Sequence, residues 1–185
     1  MKRALLFALA LAACQEDAAQ NTDPLPLTPE TIGYFCQMNL LEHEGPKGQV
    51  HLEGLPGTPR FFSQVSDTVA YLRMQEQSHP ILAIYVSDMG APGATWADPG
   101  EMNWIDATSA HFVVGAAVEG GMGAPELVPF ADPTEAQAYA DEHGGSVMGI
   151  DAIPDSAVIA PATETAKGDG DYVRRLKALT ETPEG

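Results

Sequence analysis

The sequence has little basic charge, few cysteines and no long apolar segment. Nine Lys and Arg stand against 26 Asp and Glu over 185 residues, so the formal net charge is −17. This balance excludes a nucleic-acid-binding protein, which presents a basic patch to phosphate. Two cysteines are too few for a disulfide scaffold, and the apolar run at 4–13 is shorter than the roughly 20 residues that span a bilayer. With 44% apolar residues, the chain can still bury the core of one compact domain or two small ones.

The N-terminus has the pattern of an export signal. A basic pair, Lys2 and Arg3, precedes the apolar run, which ends in the letters LAAC at Cys14. This ending resembles a bacterial lipobox, in which the cysteine is acylated and becomes the new N-terminus. The alternative is an ordinary signal peptide with an unrelated cysteine, but the abrupt change to polar residues after Cys14 favours the lipobox. We therefore expect a soluble domain that acyl chains such as palmitate anchor to a bacterial membrane through Cys14.

Acylation of Cys14 would leave Cys36 as the one free thiol of an exported protein. An unpaired thiol outside the cytoplasm requires an explanation, because disulfides form there. Cys36 and Met38 lie two positions apart, so on an extended segment both sulfur atoms would face the same side. Thiolate and thioether ligands select Cu(I), which predicts a copper site at these two residues. The alternative is a buried Cys36 beside a methionine of the core.

Met122 and His111 are the further ligand candidates. Met122 stands among three glycines at 120–123, where it has little to pack against, which suits a thioether that closes over a soft ion. The alternative is a tight turn with an incidental methionine. His111, on the predicted strand that leads towards Met122, is the best imidazole candidate and is otherwise a surface histidine. The stretch 42–44, which contains His43, predicts a solvated charged segment, and the histidine spacings match no zinc motif.

Two halves of the chain share one order of predicted elements. Apolar alternation and capping signals predict strand, strand, helix, strand in each half. The predicted elements are strands at 49–53, 60–62 and 81–86 with a helix at 67–77 capped by Ser66, then strands at 110–115, 127–130 and 146–153 with a helix that ends at 143. Residues recur at an offset of 68 positions, as for Phe62 with Phe130 and Tyr71 with Tyr139. We therefore predict an α+β fold of two tandem ββαβ repeats, with a mainly antiparallel sheet and the helices on one face.

Composition divides the chain into five segments. Polar, Pro-rich residues after Cys14 predict a flexible tether, and a similar composition near the C-terminus predicts a loose tail with a helical patch around 172–179. The predicted segments are a lipoprotein signal peptide at 1–13, a lipidated tether at 14–30, the first ββαβ repeat with the copper motif at 31–98, the second repeat at 99–153 and the tail at 154–185.

Several motifs, in their order along the chain, resemble the NosL family. They are the lipobox Cys14, Phe35-Cys36-Gln37-Met38, Trp104-Ile105-Asp106-Ala107, Gly121-Met122-Gly123 with Leu127-Val128-Pro129-Phe130 after it, and the stretch from Ala136 to Gly144-Gly145. NosL is the accessory copper lipoprotein of bacterial nitrous oxide reductase. The resemblance covers residues 10–153 and implies a periplasmic, membrane-anchored Cu(I) chaperone that serves the tetranuclear copper–sulfide centre of that reductase.

The resemblance also implies partners and ligands. The implied partners are the copper ion, apo nitrous oxide reductase with its membrane-bound maturation machinery, and the membrane through the lipid anchor. The implied ligands are Cys36 and Met38 of the C-x-M motif and the later Met122, while the residue pattern leaves His111 as the alternative third ligand. The fold implied is two ββαβ repeats similar to part of organomercurial lyase.

We expect a protein without enzymatic activity. An enzyme of the organomercurial lyase type would need more than one thiol around the metal, and acylation of Cys14 leaves only Cys36. The remaining alternative is a structural or assembly lipoprotein in which Cys36 is merely buried.

Overall fold

A computed structural model describes residues 19–158 of the chain. Within this part the strands and α-helices are β1 (Gly48–Leu52), β2 (Arg60–Phe62), α1 (Val65–Arg73), β3 (Ile81–Ser87), β4 (Trp104–Asp106), β5 (His111–Val114), β6 (Val128–Phe130), α2 (Pro133–His143) and β7 (Ser146–Met148). Short 3₁₀ helices are formed by Leu40–Glu42, Ile150–Ala152 and Asp155–Ala157. None of the helices formed by residues 19–158 has the length and apolar content needed to cross a membrane.

The strands form two antiparallel sheets that repeat one topology. The first sheet has the order β2-β1-β3-β4 and the second has the order β6-β5-β7. In each unit the first strand lies between the second and the third. This arrangement confirms the predicted α+β fold with two ββαβ repeats. Two details differ from the expectation: the strands divide into two sheets, and β4, from the segment 99–153, pairs with β3 at the edge of the first sheet.

Equivalent aromatic pairs mark the repeat in three dimensions. The rings of Phe62 in β2 and Tyr71 in α1 lie 5.2 Å apart at a tilt of 44°. Phe130 in β6 and Tyr139 in α2 lie 5.3 Å apart at a tilt of 49°. Tilted ring pairs at this spacing pack favourably, so each pair fixes a helix onto the strand that precedes it. The residues that recur at the 68-residue offset thus occupy equivalent positions in the two units.

The second sheet is buried on both faces. Phe112 and Val114 of β5 join a core that includes Val69 of α1, while the intervening Val113 joins the core formed with α2. This alternation follows from the two-residue period of a strand. Because β5 contacts a core on each face, it joins the two units into one packed structure.

Helix α1 is shorter than predicted and begins differently. The sequence predicts a helix at 67–77 capped by Ser66, whereas α1 starts at Val65 and the side chain of Gln64, in the N-cap position, makes no capping hydrogen bond. Instead the side-chain carboxyl oxygen Oε1 of Glu126 accepts the backbone N–H of Ser66 at 2.9 Å. A cap supplied by a segment 60 positions away is invisible to a rule that reads only neighbouring residues.

Residues 19–30, which the sequence assigns to the flexible tether, pack against the first sheet. The buried side-chain amide of Gln49 holds this segment: the N–H of Leu25 donates to Oε1 at 3.0 Å, and Nε2 donates to the Leu25 carbonyl at 3.1 Å. Leu27 is buried, and its N–H donates to the carbonyl of Glu101 at 2.9 Å. The prediction of a flexible tether was wrong for residues 19–30. The side chain of Gln49 in β1 makes hydrogen bonds to the backbone of a segment whose composition alone predicts exposure to solvent.

The C-terminal tail was predicted to begin at residue 154, but the folded part extends beyond this position. The predicted strand 146–153 ends at Met148, and Ile153 is buried. Arg73 of α1 pairs with Asp155, Nη1 to Oδ1 at 2.6 Å, and donates from Nη2 to the carbonyl of Ile153 at 2.5 Å. Residues 154–158 are therefore attached to the fold. Cys14, the signal peptide and residues 159–185, with the predicted helical patch, lie outside the described residues.

Candidate metal site

Cys36 lies in a tight hairpin rather than on an extended segment. Ile32 and Asn39 form an isolated β-bridge, and between them the N–H of Gly33 donates to the Met38 carbonyl at 2.9 Å. Gln37 has a φ of +56°, a left-handed conformation that turns the chain between the two sulfur residues. The expectation that Cys36 and Met38 share one side of an extended strand is therefore wrong, and their proximity comes from the turn.

The hairpin places the thiol directly over a glycine. A Cβ at Gly33 would overlap Cys36 Sγ, so a side chain at this position would displace the sulfur. Cys36 Sγ lies 4.0 Å from the carbonyl oxygen of Met38 and is half-buried, whereas the Met38 side chain is exposed. One half-buried thiol and one exposed thioether thus stand at the same turn.

Aromatic packing fixes this hairpin to the first repeat. The N–H of Tyr34 donates to the carbonyl of Phe61 at 2.7 Å, which attaches the hairpin to the outer edge of β2. The ring of Phe35 lies 5.3 Å from that of Phe62, and the ring of Tyr34 lies 5.5 Å from that of Tyr71. Ring pairs at these distances are favourable, so they pack the hairpin that carries Cys36 against β2 and α1.

Met122 lies at the tip of the connection between β5 and β6. A bridge between Glu119 and Pro125 closes this loop, and the N–H of Gly123 donates to the carbonyl of Gly120 at 2.8 Å. The buried Gln64 holds the tip, because its Oε1 accepts the N–H of Met122 at 2.9 Å. The Met122 side chain is exposed. The loop is therefore anchored through its backbone, while the thioether points away from the core.

The Met122 loop contacts the segment that follows Met38, and His43 makes the contact. His43 Nδ1 lies 3.1 Å from the carbonyl oxygen of Gly121, and since a carbonyl only accepts, Nδ1 carries the proton. A Cβ at Gly121 would lie 2.7 Å from His43 Cβ, so only glycine permits this close approach. The two segments that carry the predicted sulfur ligands are thus brought together.

The sequence analysis missed His43 as a candidate ligand. Its Nε2 is buried and has no hydrogen-bond partner. In a neutral imidazole with its proton on Nδ1, Nε2 carries a free electron pair that can bind a metal. A hydrogen bond from the other ring nitrogen to a backbone carbonyl is the usual outer contact of a histidine ligand. The segment 42–44 was predicted to be solvated; His43 is in fact half-buried against a loop 78 positions away. No spacing rule connects it to Met38.

His111 lies away from the other candidates. It pairs with Phe130 at the start of β5, and its charge acts on Asp132 just beyond β6. Met122 is at the opposite, closed end of the same hairpin. The structure therefore brings the Met122 loop into contact with His43 and leaves His111 at the far end of the sheet.

Two buried ionisable groups lie beside the candidate ligands. Lys47 is buried and donates from Nζ to the carbonyls of Glu44 at 2.9 Å and Gly45 at 2.6 Å. Burial lowers its pKa to about 8, against the opposing attraction of Glu126, Glu44 and Cys36. Burial raises the pKa of Glu126 to about 8, although two backbone N–H groups donate to it. The ammonium of Lys47 is therefore within electrostatic range of the Cys36 thiol.

The donor set is soft. Among residues 19–158, no group of three or more His, Cys, Asp and Glu side chains is placed to hold a metal ion. The candidate donor atoms on the two adjoining segments are instead a thiol, two thioethers and one imidazole nitrogen. Sulfur ligands of this kind prefer Cu(I) over hard divalent ions.

The fold and these side chains define a class of protein: a two-repeat α+β protein with candidate soft-metal ligands on two adjoining loops. The NosL family model matches residues 24–158, so the chain belongs to the NosL family. The assignment from the sequence motifs is thereby confirmed.

Named relatives and a solved structure agree with this assignment. The copper-binding lipoprotein NosL of Achromobacter cycloclastes is 54% identical over 183 residues, covering 96% of this chain and 94% of that protein. The copper-binding lipoprotein NosL of Stutzerimonas stutzeri is 32% identical over 168 residues, covering 89% and 84%. The crystal structure of the copper chaperone NosL from Shewanella denitrificans superposes with a TM-score of 0.66 at 27% identity, covering 72% of this chain and 96% of that one.

Proposed function

We propose that this protein is a periplasmic, lipid-anchored Cu(I) chaperone. It carries copper for assembly of the tetranuclear copper–sulfide centre of nitrous oxide reductase and has no catalytic activity of its own. Support comes from relatives named as copper-binding lipoproteins and as a copper chaperone. The lipobox at Cys14 supports the anchor.

One observation carries the proposal: the Met122 loop is docked onto the Cys36 segment through a histidine with a free, buried nitrogen. The Nδ1 of His43 is committed to the carbonyl of Gly121, so its Nε2 is left without a partner. Buried polar atoms are nearly always hydrogen-bonded, so this unpartnered nitrogen is available to a bound ion. A soft ion bound between the two loops would satisfy it.

The proposed ligands are Cys36, Met38 and Met122, with His43 as an additional donor. Cys36 supplies the anionic sulfur and contributes most to affinity, because it neutralises the charge of the ion as well as donating electrons. The thioethers of Met38 and Met122 are neutral and weaker. We place His43 ahead of His111 as the imidazole, since His111 lies at the far end of the hairpin that carries Met122.

This mixed set of thiolate, thioether and imidazole ligands is suited to the transfer of copper to an acceptor. An incoming thiolate or imidazole from an acceptor can displace one exposed thioether at a time, while Cys36 retains the ion until the last step. Both thioethers are exposed, so an acceptor can reach them without unfolding the core. Cys36 would bind the ion as a thiolate, so binding displaces the thiol proton, and affinity should rise with pH.

Cu(I) competition with a chromogenic chelator, under anaerobic conditions, tests the proposal on the soluble domain that begins after Cys14. We expect one Cu(I) per chain, loss of binding in Cys36→Ser, and weakened binding in Met38→Leu, Met122→Leu and His43→Ala. Leucine keeps the apolar bulk of methionine, so a change in affinity without a change in melting temperature isolates ligation from packing.

Matched controls come from the same chain. Met74 and Met102 are exposed methionines away from these loops, so Met74→Leu and Met102→Leu should leave the affinity unchanged. His111→Ala should also bind copper as the wild type does. If His111→Ala loses affinity while Met122→Leu and His43→Ala keep it, the third ligand is His111. Absence of tight one-to-one binding in the wild type would instead favour a structural lipoprotein.

A further inference from the structure

The exposed large apolar side chains of the described residues are concentrated at the candidate copper site. Six of the nine that are most exposed belong to one group, which we call the apolar patch: Ile32, Tyr34, Phe35, Met38, Leu41 and Met122. Four of these six residues, Ile32, Tyr34, Phe35 and Leu41, have no proposed ligand role. Single exposed apolar residues are ordinary, but several together mark an interaction surface.

Local geometry places the patch residues on two adjoining segments. The bridge between Ile32 and Asn39 and the hydrogen bond from the N–H of Leu40 to the carbonyl of Thr31 lay the two arms of the hairpin side by side. The rings of Tyr34 and Phe35 lie 5.5 Å apart. Met122 reaches the same region through the contact of its loop with His43. The exposed residues therefore lie on the hairpin that carries Cys36, on the turn that follows it and on the loop that contacts His43.

The residues of the patch are held in place by packing against buried side chains. Leu40, next to the exposed Leu41, is fully buried. The rings of Tyr34 and Phe35 pack against Phe62 and Tyr71 while remaining more than a third exposed. A rigid surface loses little entropy when a partner binds, which favours a docking role.

The charges beside the patch specify what it can bind. Glu30, Glu42 and Glu44 lie on the same segment and are exposed, whereas Lys47, the nearest lysine along the chain, is buried. The guanidinium of Arg60 is stacked on the ring of Tyr34, 4.8 Å from its centroid. The rim of the patch is therefore mainly acidic, as is the whole chain with its net charge of −17.

We propose that the apolar patch is the docking surface for the copper-accepting protein, and that this acceptor presents an apolar face ringed by Lys and Arg. The inference rests on the proposed function, because the patch includes the proposed ligands Met38 and Met122. A second copy of this chain would bring the same acidic rim and would be repelled. An anionic membrane surface would be repelled for the same reason.

Two variants at the edge of the patch test this inference without touching a ligand. Ile32→Ser and Leu41→Ser remove exposed apolar area, and Leu82→Ser is the matched control, since Leu41 and Leu82 are both 43% exposed and Leu82 lies on β3. Cu(I)-loaded protein is mixed with apo nitrous oxide reductase, and transfer is followed by stopped-flow absorbance. Docking of the metal-free protein to the same acceptor is measured separately by interferometry.

We expect Ile32→Ser and Leu41→Ser each to slow transfer and to weaken docking by about three- to tenfold, with Cu(I) affinity and melting temperature as in Leu82→Ser. Docking should also weaken as salt rises from low to physiological strength, because the acidic rim attracts the acceptor. Charge reversal of the rim, Glu42→Lys with Glu44→Lys, should reduce docking further.

Other results would overturn the inference. Equal transfer and docking for the patch variants and Leu82→Ser would remove the patch from the interface. Concentration-dependent dimers in sedimentation that are lost in Leu41→Ser would identify a second copy as the occupant, and binding to vesicles of anionic lipid that is lost in Leu41→Ser would identify the membrane. Failure of the wild type to bind Cu(I) would instead reject the proposed function, since docking of the metal-free protein is a separate measurement.

Discussion

Replacing Glu126 by glutamine tests how the buried carboxyl group beneath the Met122 loop affects folding. Its Oε1 accepts the backbone N–H groups of Ser66 and Leu127, each at 2.9 Å, while its Oε2 is buried without a partner. Burial raises the pKa of Glu126 from 4.5 to about 8, against the opposing effects of these hydrogen bonds and of Lys47. In the folded protein the carboxyl group therefore keeps its proton at a pH where the unfolded chain has lost it.

The sign of the effect on stability follows from this difference. Between pH 4.5 and about pH 8 the native state binds the proton and the unfolded state does not, so the free energy of unfolding falls as pH rises. One pKa unit corresponds to about 1.4 kcal/mol. From pH 5 to pH 7 this single group should lower the stability of the wild type by about 2–3 kcal/mol. Glu126→Gln keeps the acceptor oxygen for Ser66 and Leu127 but cannot ionise, so this decline should disappear.

Urea denaturation of the metal-free domain at pH 5, 6 and 7 provides the measurement. The difference in unfolding free energy between Glu126→Gln and the wild type should grow in favour of the variant across this range. Comparison at each pH cancels the titration of shared groups, including His51, whose pKa burial lowers. Parallel pH profiles for the two proteins would refute the reasoning and would mean that Glu126 ionises in the fold near its ordinary pKa.

Three further predictions concern packing and anchoring. Gly120→Ala would place a Cβ 2.5 Å from Glu126 Oε2 and should destabilise the fold by about 1–3 kcal/mol, whereas Gly149→Ala, with open space around it, should be neutral in the same thermal melts. Arg73→Ala should leave global stability within about 1 kcal/mol but increase hydrogen exchange at 153–158, and unchanged exchange there would contradict the structural role of the ion pair. Cys14→Ser should release the protein from the membrane fraction or block its processing, and retention in the detergent phase would disprove lipidation.

The local pattern of the sequence was sufficient for most of the secondary structure. Alternating residues identified β1, and short apolar runs identified β3 and β5. Asp132 and Pro133 identified the start of α2, and Gly144 identified its end. The recurrence of Phe62 and Tyr71 as Phe130 and Tyr139 predicted the duplication, because an aromatic pair that packs one helix onto one strand works equally well in a second copy. Such signals lie within one element or its immediate neighbours.

Features that depend on distant segments were decided only by the tertiary structure. Gln49 holds the segment at Leu25, and Glu126 caps α1, although neither partner lies near the other in the sequence. The division of the strands into two sheets also depends on pairings between separate parts of the chain. Composition described 19–30 as a tether, because it counts polar residues and cannot show which backbone groups find a partner.

The candidate metal site also combines features that the local sequence predicts with features that only the tertiary structure shows. The residue types Cys36, Met38 and Met122 were chosen from the sequence, because only a few side chains have the chemistry that holds a soft ion. The turn at Gln37, which brings the first two together, and the contact of His43 with the Met122 loop were not predictable from spacing. The sequence by itself determined which donor atoms are present, while the fold decided which of them meet, because a contact across 78 positions depends on the packing of every element between them.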